Sequence, residues 1–463
     1  MVTKAYLMII VSSLVILVNS LPENGTYNYR NQDQSANRLV IAHFMIGITS
    51  DRSSASEYDD DMKRASSLGI DAFALNIGLD PYSDQQLQLA YASAARNSMK
   101  VFLSFDFNWW HKGPVQEIGQ KIAQYASLSA QLMIDDKIFV STFAGDDLDV
   151  AALWASVGKP IFFAPNFHPS YGTNTSVSAV DGLLNWMAWP DNGRNKAPTS
   201  TQNISVADGD RAYINALGGK AYVAPLGPRF VEIVTWNDYG ESHYIGPLQS
   251  QHTDDGASKW VNDMPHDGWL DMAKPFIAAS KAGTSSLTIK SDQLIYWYRP
   301  ARRDVNCDST DICMVSANNA SGNYFLGRPD GWEPMEDSVF VVSLRTAPTS
   351  VHVNSGGIVY IYEAPAGASV QAIPMNVGVQ SFSISRNGQV VLSDTSLKPI
   401  INICVCGLYN FNAYGLACTN LRGITITRNG TSYGQYYLDN DDFCLYNIGH
   451  VCHYVQRDDI YFL

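Results

Sequence analysis

Along the amino-terminal half of the chain, short apolar runs alternate with segments whose hydrophobic positions recur at helical spacing. Leu39 to Gly47, Gly69 to Gly78, Lys100 to Asn108, Lys137 to Phe143, Pro160 to Asn166, Leu183 to Trp189, Lys220 to Pro225 and Phe230 to Trp236 each fit a buried strand. Ser56 to Leu68, Asp84 to Asn97, Gln116 to Met133 and Asp208 to Leu217 fit helices between them. Strands interleaved with helices in this way predict a parallel (β/α)8, TIM-like barrel over residues 38–284, closed by a last helical stretch that runs from Met264-Pro-His-Asp-Gly-Trp269 to Ala282. Past Gly283 the period shortens. Gln293 to Tyr298, Ser338 to Ser343, Gly357 to Tyr362, Val379 to Ile384 and Gly388 to Leu392 alternate like strands of an all-β, sandwich-like domain over 287–410. Residues 411–463 are rich in cysteine and aspartate, lack clear periodicity and suggest no architecture.

One junction breaks the barrel pattern. Between Ala224 and Phe230 stand only Pro225, Leu226, Gly227, Pro228 and Arg229, whereas parallel neighbours are joined by a crossover of about ten or more residues. Either these two strands are not parallel neighbours, or a connecting loop and helix are missing.

Composition narrows the function. At 463 residues the chain is too long for one core. A net charge of −13 and a pI near 5.0 argue against a nucleic-acid surface, which needs clustered basic groups. Ten Trp, 25 Tyr and 18 Phe suit stacking on sugar rings, although most aromatics in any fold are core. Lys4, the apolar stretch Ala5 to Val18 and the small residues before Leu21 read as a secretory signal over residues 1–20. No later segment is long and apolar enough to span a membrane. Asn-x-Ser/Thr acceptors at Asn24, Asn174, Asn203, Asn319 and Asn429 agree with passage through a glycosylating pathway. All seven cysteines lie beyond residue 300, and Cys307 and Cys313 look like a short local disulfide. Cys404-Val-Cys406 is too tightly spaced for a zinc knuckle, and no metal or other cofactor is expected.

The chemistry concentrates after the eighth strand, where Phe230-Val-Glu-Ile-Val-Thr-Trp ends in Asn-Asp238-Tyr-Gly-Glu241-Ser-His243. The carboxyl ends of barrel strands are where such folds carry their active sites. Asp238 and Glu241 stand at i and i+3, so both face one groove if the chain turns helically there. Glycosidic cleavage wants such a pair, one acid to protonate the leaving oxygen and one carboxylate to act on water or the sugar; the competing reading is a helix-start cap. Trp236, Tyr239 and His243 beside them, Asp106 with Trp109, Trp110 and His111 after the third strand, and His43, Asn76 and Trp189 are candidate sugar contacts. Asp146, Asp147, Asn166, His168 and Asp191 also follow strands.

Four stretches carry a family resemblance: Arg38-Leu-Val-Ile-Ala-His-Phe-Met-Ile-Gly, Gly69-Ile-Asp-Ala-Phe-Ala-Leu-Asn-Ile-Gly, Ser104-Phe-Asp-Phe and, most specifically, Phe230-Val-Glu-Ile-Val-Thr-Trp-Asn-Asp-Tyr-Gly-Glu-Ser-His-Tyr-Ile-Gly-Pro. Over roughly residues 38–410 the chain resembles the fungal endo-1,3-α-glucanases, or mutanases, of glycoside hydrolase family 71. The resemblance implies hydrolysis of α-1,3-glucan with inversion, a barrel followed by a β-domain, and no metal. It places catalytic carboxylates at Asp238 and Glu241 and implicates Asp71 as a third acid, although Asp71 sits where its strand begins. Family members carry a longer, tryptophan-rich loop and helix where this chain has only residues 225–229. That departure points to a deletion or a mistaken splice, and it predicts weak or absent activity. The remaining expectations are an extracellular or wall-associated, monomeric protein acting on polysaccharide, or a catalytically impaired α-glucan-binding wall protein.

Overall fold

A computed structural model describes residues 38–110, 114–169, 177–186, 206–224, 229–248, 258–307, 328, 332, 335–404, 409–419 and short strand pieces between 426 and 456. The signal-like leader, all five glycosylation acceptors, His111, Trp189, Asp191 and Cys313 lie outside these residues.

Nine strands build the first sheet: β1 (Leu39–Met45), β2 (Ala72–Ile77), β3 (Lys100–Asp106), β4 (Met133–Ile134), β5 (Lys137–Phe143), β6 (Ile161–Pro165), β7 (Gly182–Leu184), β8 (Ala221–Ala224) and β9 (Phe230–Ile233). All but β4 are parallel, hydrogen-bonded in the order β6-β5-β3-β2-β1-β9-β8-β7. Alternation along each strand explains both faces. Val40, Ala42 and Phe44 turn outward with Phe73, Leu75, Val101 and Leu103 onto the helices Asp59–Leu68, Ser83–Arg96 and Val115–Tyr125. Ile41, Ala72, Ala74, Phe102, Phe139, Phe162 and Phe230 turn to the other side and form a second core. There the Phe230 ring of β9 lies 5.7 Å from Phe139 of β5 and 5.8 Å from Phe162 of β6. Strands separated by β1, β2 and β3 meet across this core only because the sheet curls strongly. Its two ends touch as well: Asp181 N–H donates to Phe163 O at 2.9 Å, and Asp181 Oδ2 accepts from Phe163 N–H at 3.0 Å.

Several element boundaries shift from the sequence expectation. The long helix expected from Gln116 to Met133 stops at Tyr125, and Met133–Ile134 becomes β4. A helix absent from the sequence reading, Val150–Val157, starts on Asp149, whose side chain accepts from Ala152 N–H at 2.9 Å, and ends at Gly158 in the left-handed region (φ 65°). The two strands flanking the short 225–229 connection are parallel neighbours, with Val223 opposite Phe230 and Ala224 opposite Val231. Of the two explanations for that junction, non-adjacency is therefore excluded. The register shows how the gap is bridged: β9 begins level with the penultimate residue of β8, so the chain needs little net travel along the strand axis.

Beyond the helix Asp267–Lys281, two antiparallel four-stranded sheets follow. One runs β14 (Gly367–Pro374), β11 (Ser338–Arg345), β10 (Gln293–Tyr298), β17 (Tyr414–Thr419); the other runs β13 (Ile358–Ala364), β12 (Thr349–Ser355), β15 (Gln380–Arg386), β16 (Gln389–Thr395). They share one core of Leu294, Tyr296, Val341, Val351, Val353, Phe382, Ile384 and Tyr414. The outer face of the first sheet, including Ile295, Trp297, Val342 and Leu344, packs on the 267–281 helix and joins the large core of the parallel sheet. β12, β14 and β17 were not legible in the sequence, and β17 draws residues 414–419 from the stretch that suggested no architecture.

The expected Cys307–Cys313 bridge is corrected: Cys307 pairs with Cys404, 97 residues away, at a Cα–Cα distance of 5.5 Å. Spacing along the chain misled because the chain after β10 runs beside the chain after β16, with Ala301 opposite Ile401 and Ile401 N–H donating to Pro300 O at 2.8 Å. Cys418 is a buried free thiol.

Candidate active site

β9 ends at Ile233, and the chain folds back on itself at once. Thr235 N–H and Thr235 Oγ1 both donate to His243 O at 2.8 Å, Asp238 N–H donates to Thr235 Oγ1 at 2.8 Å, and His243 N–H donates to Asp238 O at 2.9 Å. Ile245 N–H to Thr235 O (3.1 Å) and Gly246 N–H to Trp236 O (2.8 Å) close the base of this turn. The turn is then sewn to β1: Trp236 N–H donates to His43 O at 2.7 Å, while the Asn237 side chain accepts from Met45 N–H at 2.7 Å and donates to Met45 O at 3.1 Å. Asn237 thereby imitates a strand partner where β9 has already ended, a role that nothing in its residue type announced.

Asp238 and Glu241 meet as their spacing implied, through a turn rather than a helix. Glu241 N–H donates to Asp238 Oδ1 at 3.0 Å, so a cap-like bond and proximity of the two carboxyls coexist. One donor atom from each of Asp238, Glu241 and His243 falls within 4.8 Å of the others, and Glu241 Oε2 lies 3.5 Å from His243 Nδ1. Burial, reinforced by the charges of Asp238 and Asp106, pushes the Glu241 carboxyl up to about 8, although its side chain keeps 42% exposure. Asp106, at the carboxyl end of β3, is raised by burial too, against the pull of Asn108 N–H, which donates to Oδ1 at 2.9 Å, and of His43. Asp80, after β2, adds negative charge on Asp106; it lies 3.1 Å from where a Cβ on Gly78 would stand and 3.4 Å from one on Gly47. It was missed because it stands in the loop three residues past the end of β2, whereas Asp106 closes β3 itself. A set of one imidazole and two carboxylates also suits a divalent cation.

The other candidates disperse. Trp236 is fully buried and faces the helices, its ring 5.1 Å from Phe73 and its Nε1 donating to Asp61 Oδ1 at 2.8 Å, with Asp61 paired to Arg52 at 2.7 Å. Tyr239 is buried too, donating to Pro247 O at 2.8 Å. His43 is sealed inside the curled sheet, 2.8 Å from Glu232 and edge-on to Trp186 at 4.7 Å. Among the described residues His43 Nε2 and Glu232 Oε2 have no hydrogen-bond partner. Glu232 went unnoticed because an acid inside an apolar strand reads as an interruption of the pattern. Asn76 is 4% exposed on β2, opposite Met45 and Ser104. Asp71 stands at the opposite, amino end of the strands: Oδ2 accepts from Val40 N–H at 2.8 Å and Oδ1 from Lys281 Nζ at 2.6 Å. Trp109, whose ring lies 3.2 Å from where a Cβ on Gly78 would stand, as Asp80 does at 3.1 Å, is 62% exposed.

A family model for glycosyl hydrolase family 71 matches residues 36–230 and 226–425, two stretches that meet at the short connection. A mutanase of Penicillium rubens is 36% identical over 442 residues, covering 87% of this chain and 94% of that protein. The glucan endo-1,3-alpha-glucosidase agn1 of Schizosaccharomyces pombe is 30% identical over 427 residues, covering 82% and 94%. An ascus wall endo-1,3-alpha-glucanase of the same yeast is 26% identical over 436 residues, covering 81% and 96%. By the extent of the family match and by these relatives, this chain belongs to glycosyl hydrolase family 71.

Proposed function

We propose that the protein is a secreted, monomeric endo-acting hydrolase of α-1,3-glucan in fungal walls, with Glu241 as general acid and Asp238 as the carboxylate that activates water. The observation that carries this is the Asp238–Glu241–His243 cluster at the carboxyl ends of the parallel strands, with Glu241 raised to about 8. A carboxyl held protonated across the mildly acidic range can protonate a leaving oxygen, and its ionised neighbour can accept a proton from water. Asp106 and the exposed Trp109 are positioned to hold and stack on the glucan, and the named activities of the relatives supply the substrate. The curled sheet is read as a (β/α)8 barrel over 38–284 and the paired antiparallel sheets as a β-sandwich. Support comes from the contacts between β6 and the start of β7 and from the shared core of the two sheets.

Inversion adds a condition. Inverting pairs stand roughly 6.5–9.5 Å apart to admit water, yet Asp238 and Glu241 have oxygens within 4.8 Å. Inversion by this pair therefore requires the turn to open when glucan enters. Proton NMR of the first product formed from α-1,3-glucan oligosaccharides tests it: the β-anomer is expected, and the α-anomer overturns inversion. Size analysis of products from insoluble glucan should show oligosaccharides of mixed length, whereas Glu241→Gln should release none.

The second reading, an impaired glucan-binding protein, is favoured by residues 225–229 alone separating β8 from β9. Against it, β9 keeps register with β1 through Leu39 opposite Phe230, and among the described residues the catalytic turn is anchored on β1 rather than on β8. Sedimentation with glucan but no reducing sugar released would select this reading.

A further inference from the structure

The catalytic turn is held from behind by residues that arrive from the far side of the fold. Tyr244, next to His243, donates through its hydroxyl to Met264 O and accepts from Asn412 Nδ2 at 2.9 Å. Its ring stacks on His266 at 3.9 Å and 5°, and His266 Nδ1 donates to Tyr244 O at 2.7 Å. On the other side of that imidazole, Nε2 lies 3.0 Å from Asn412 Oδ1 and 3.1 Å from Ala413 O. A second tether runs through Trp260, whose Nε1 donates to Tyr239 O at 3.2 Å, between the two catalytic acids in sequence. Asn410 Nδ2 and Asn412 Nδ2 donate to Trp260 O at 3.2 and 3.0 Å. The Tyr239 and Tyr244 rings pack edge to face at 4.9 Å, which ties the two tethers together. His266, Asn412 and Tyr244 are all buried. Asn410 and Asn412 immediately precede β17, the edge strand of the first antiparallel sheet.

From these contacts we infer that Asn410 and Asn412 are positioning residues for the catalytic turn, so that the carboxyl-terminal β-unit completes the active site rather than merely following it. The inference rests on the reading of Asp238 and Glu241 as the catalytic pair. Its physical basis is that neither tether reaches the acids directly. Each fixes the backbone on one side of Glu241, at Tyr239 and at Tyr244, and the turn's own bonds transmit that position to the carboxyls. Satisfied buried polar networks have few alternative arrangements, which suits them to fixing a loop. His266, whose imidazole burial pushes down to about 4 against its contacts with Tyr244 O, Ala413 O and Asn412, contributes a stacked ring and hydrogen bonds to the turn.

The test uses the whole chain with Asn412→Ala and Asn410→Ala, and with Asn376→Ala elsewhere in the β-unit as control. Amide exchange of peptides spanning 235–248 should accelerate in both test variants, while peptides from β1 and β2 stay protected as in the parent. On α-1,3-glucan oligosaccharides, kcat should fall by about 10- to 100-fold with KM changed less than about threefold, since small misplacements of reacting groups cost rate before binding. The control should match the parent in both measurements. Unchanged exchange in 235–248, or uniform acceleration throughout the fold, overturns the inference. If Asn412→Ala fails to fold, Asn410→Ala, which removes the bond to Trp260 O and the one that Asn410 Oδ1 accepts from Asn412 N–H at 3.0 Å, decides by the same readings. If the parent releases no sugar, the proposed function fails while amide exchange still decides the tether.

Discussion

Replacing Asp71 by alanine separates a catalytic acid from a structural clamp. In the structure Asp71 and Val40 exchange two bonds, Asp71 N–H to Val40 O at 2.7 Å and Val40 N–H to Asp71 Oδ2 at 2.8 Å, while Lys281 reaches across from the 267–281 helix. Alanine leaves the buried Val40 N–H without its charged acceptor, a loss of about 1.5–3 kcal/mol. The Lys281 pair, with side chains 36% and 26% exposed, adds about 0.2–1 kcal/mol. The expected total is about 2–4 kcal/mol, and at about 2 °C per kcal/mol for a domain of this size the melting temperature should fall by roughly 4–8 °C. Lys281→Met, which removes the ion pair alone, should lower it by no more than about 2 °C. Scanning calorimetry measures both. Turnover per folded molecule below the transition, measured on soluble α-1,3-glucan oligosaccharides, should stay within about threefold of the parent, because Asp71 lies at the end of the strands away from Asp238 and Glu241. A loss of 100-fold or more at an unchanged melting temperature would refute this reasoning and return Asp71 to the catalytic set.

Glu241 makes a signed pH prediction. Its folded value of about 8 exceeds the ordinary glutamate value of 4.5, so the folded state holds a proton that the unfolded state releases, and this contribution is present below about 4.5 and lost as pH rises through about 8. Thermal stability should fall across that window, and Glu241→Gln should flatten the fall; activity should decline with the same upper limb. Trp109→Ala should raise KM on longer oligosaccharides by about 5- to 100-fold, the range expected when a stacking platform worth about 1–3 kcal/mol is lost, with kcat little changed; equal loss in kcat alone would argue against a stacking role. Opening the Cys307–Cys404 loop of 97 residues with Cys307→Ser and Cys404→Ser should cost up to about 4.7 kcal/mol on the chain-entropy estimate; urea unfolding measures it. Chelator should leave turnover unchanged, whereas zinc should inhibit by occupying Asp238, Glu241 and His243.

The sequence by itself determined where the parallel strands lie along the chain, most of the helices between them and five of the eight strands β10 to β17, because burial on one or both faces writes its period directly into residue choice. β1, β3, β5 and β10 were legible nearly to the residue. It also placed Asp238 and Glu241 together, since three residues of separation bring groups close in any tight turn. Tertiary structure decided what long-range contacts alone could decide. Trp236 and Asp71 carry residue types suited to a sugar site, yet one faces Asp61 and the other Lys281. Cys307 found Cys404 through the pairing of two distant loops, not through the nearness of Cys313. Glu232, Asp80, Asn237 and Asn412 became visible only once the sheet curled and the β-unit docked, because their roles depend on partners brought from other strands and loops. Local pattern reports which face of an element is buried. It does not report what that face meets, and here that meeting makes the site.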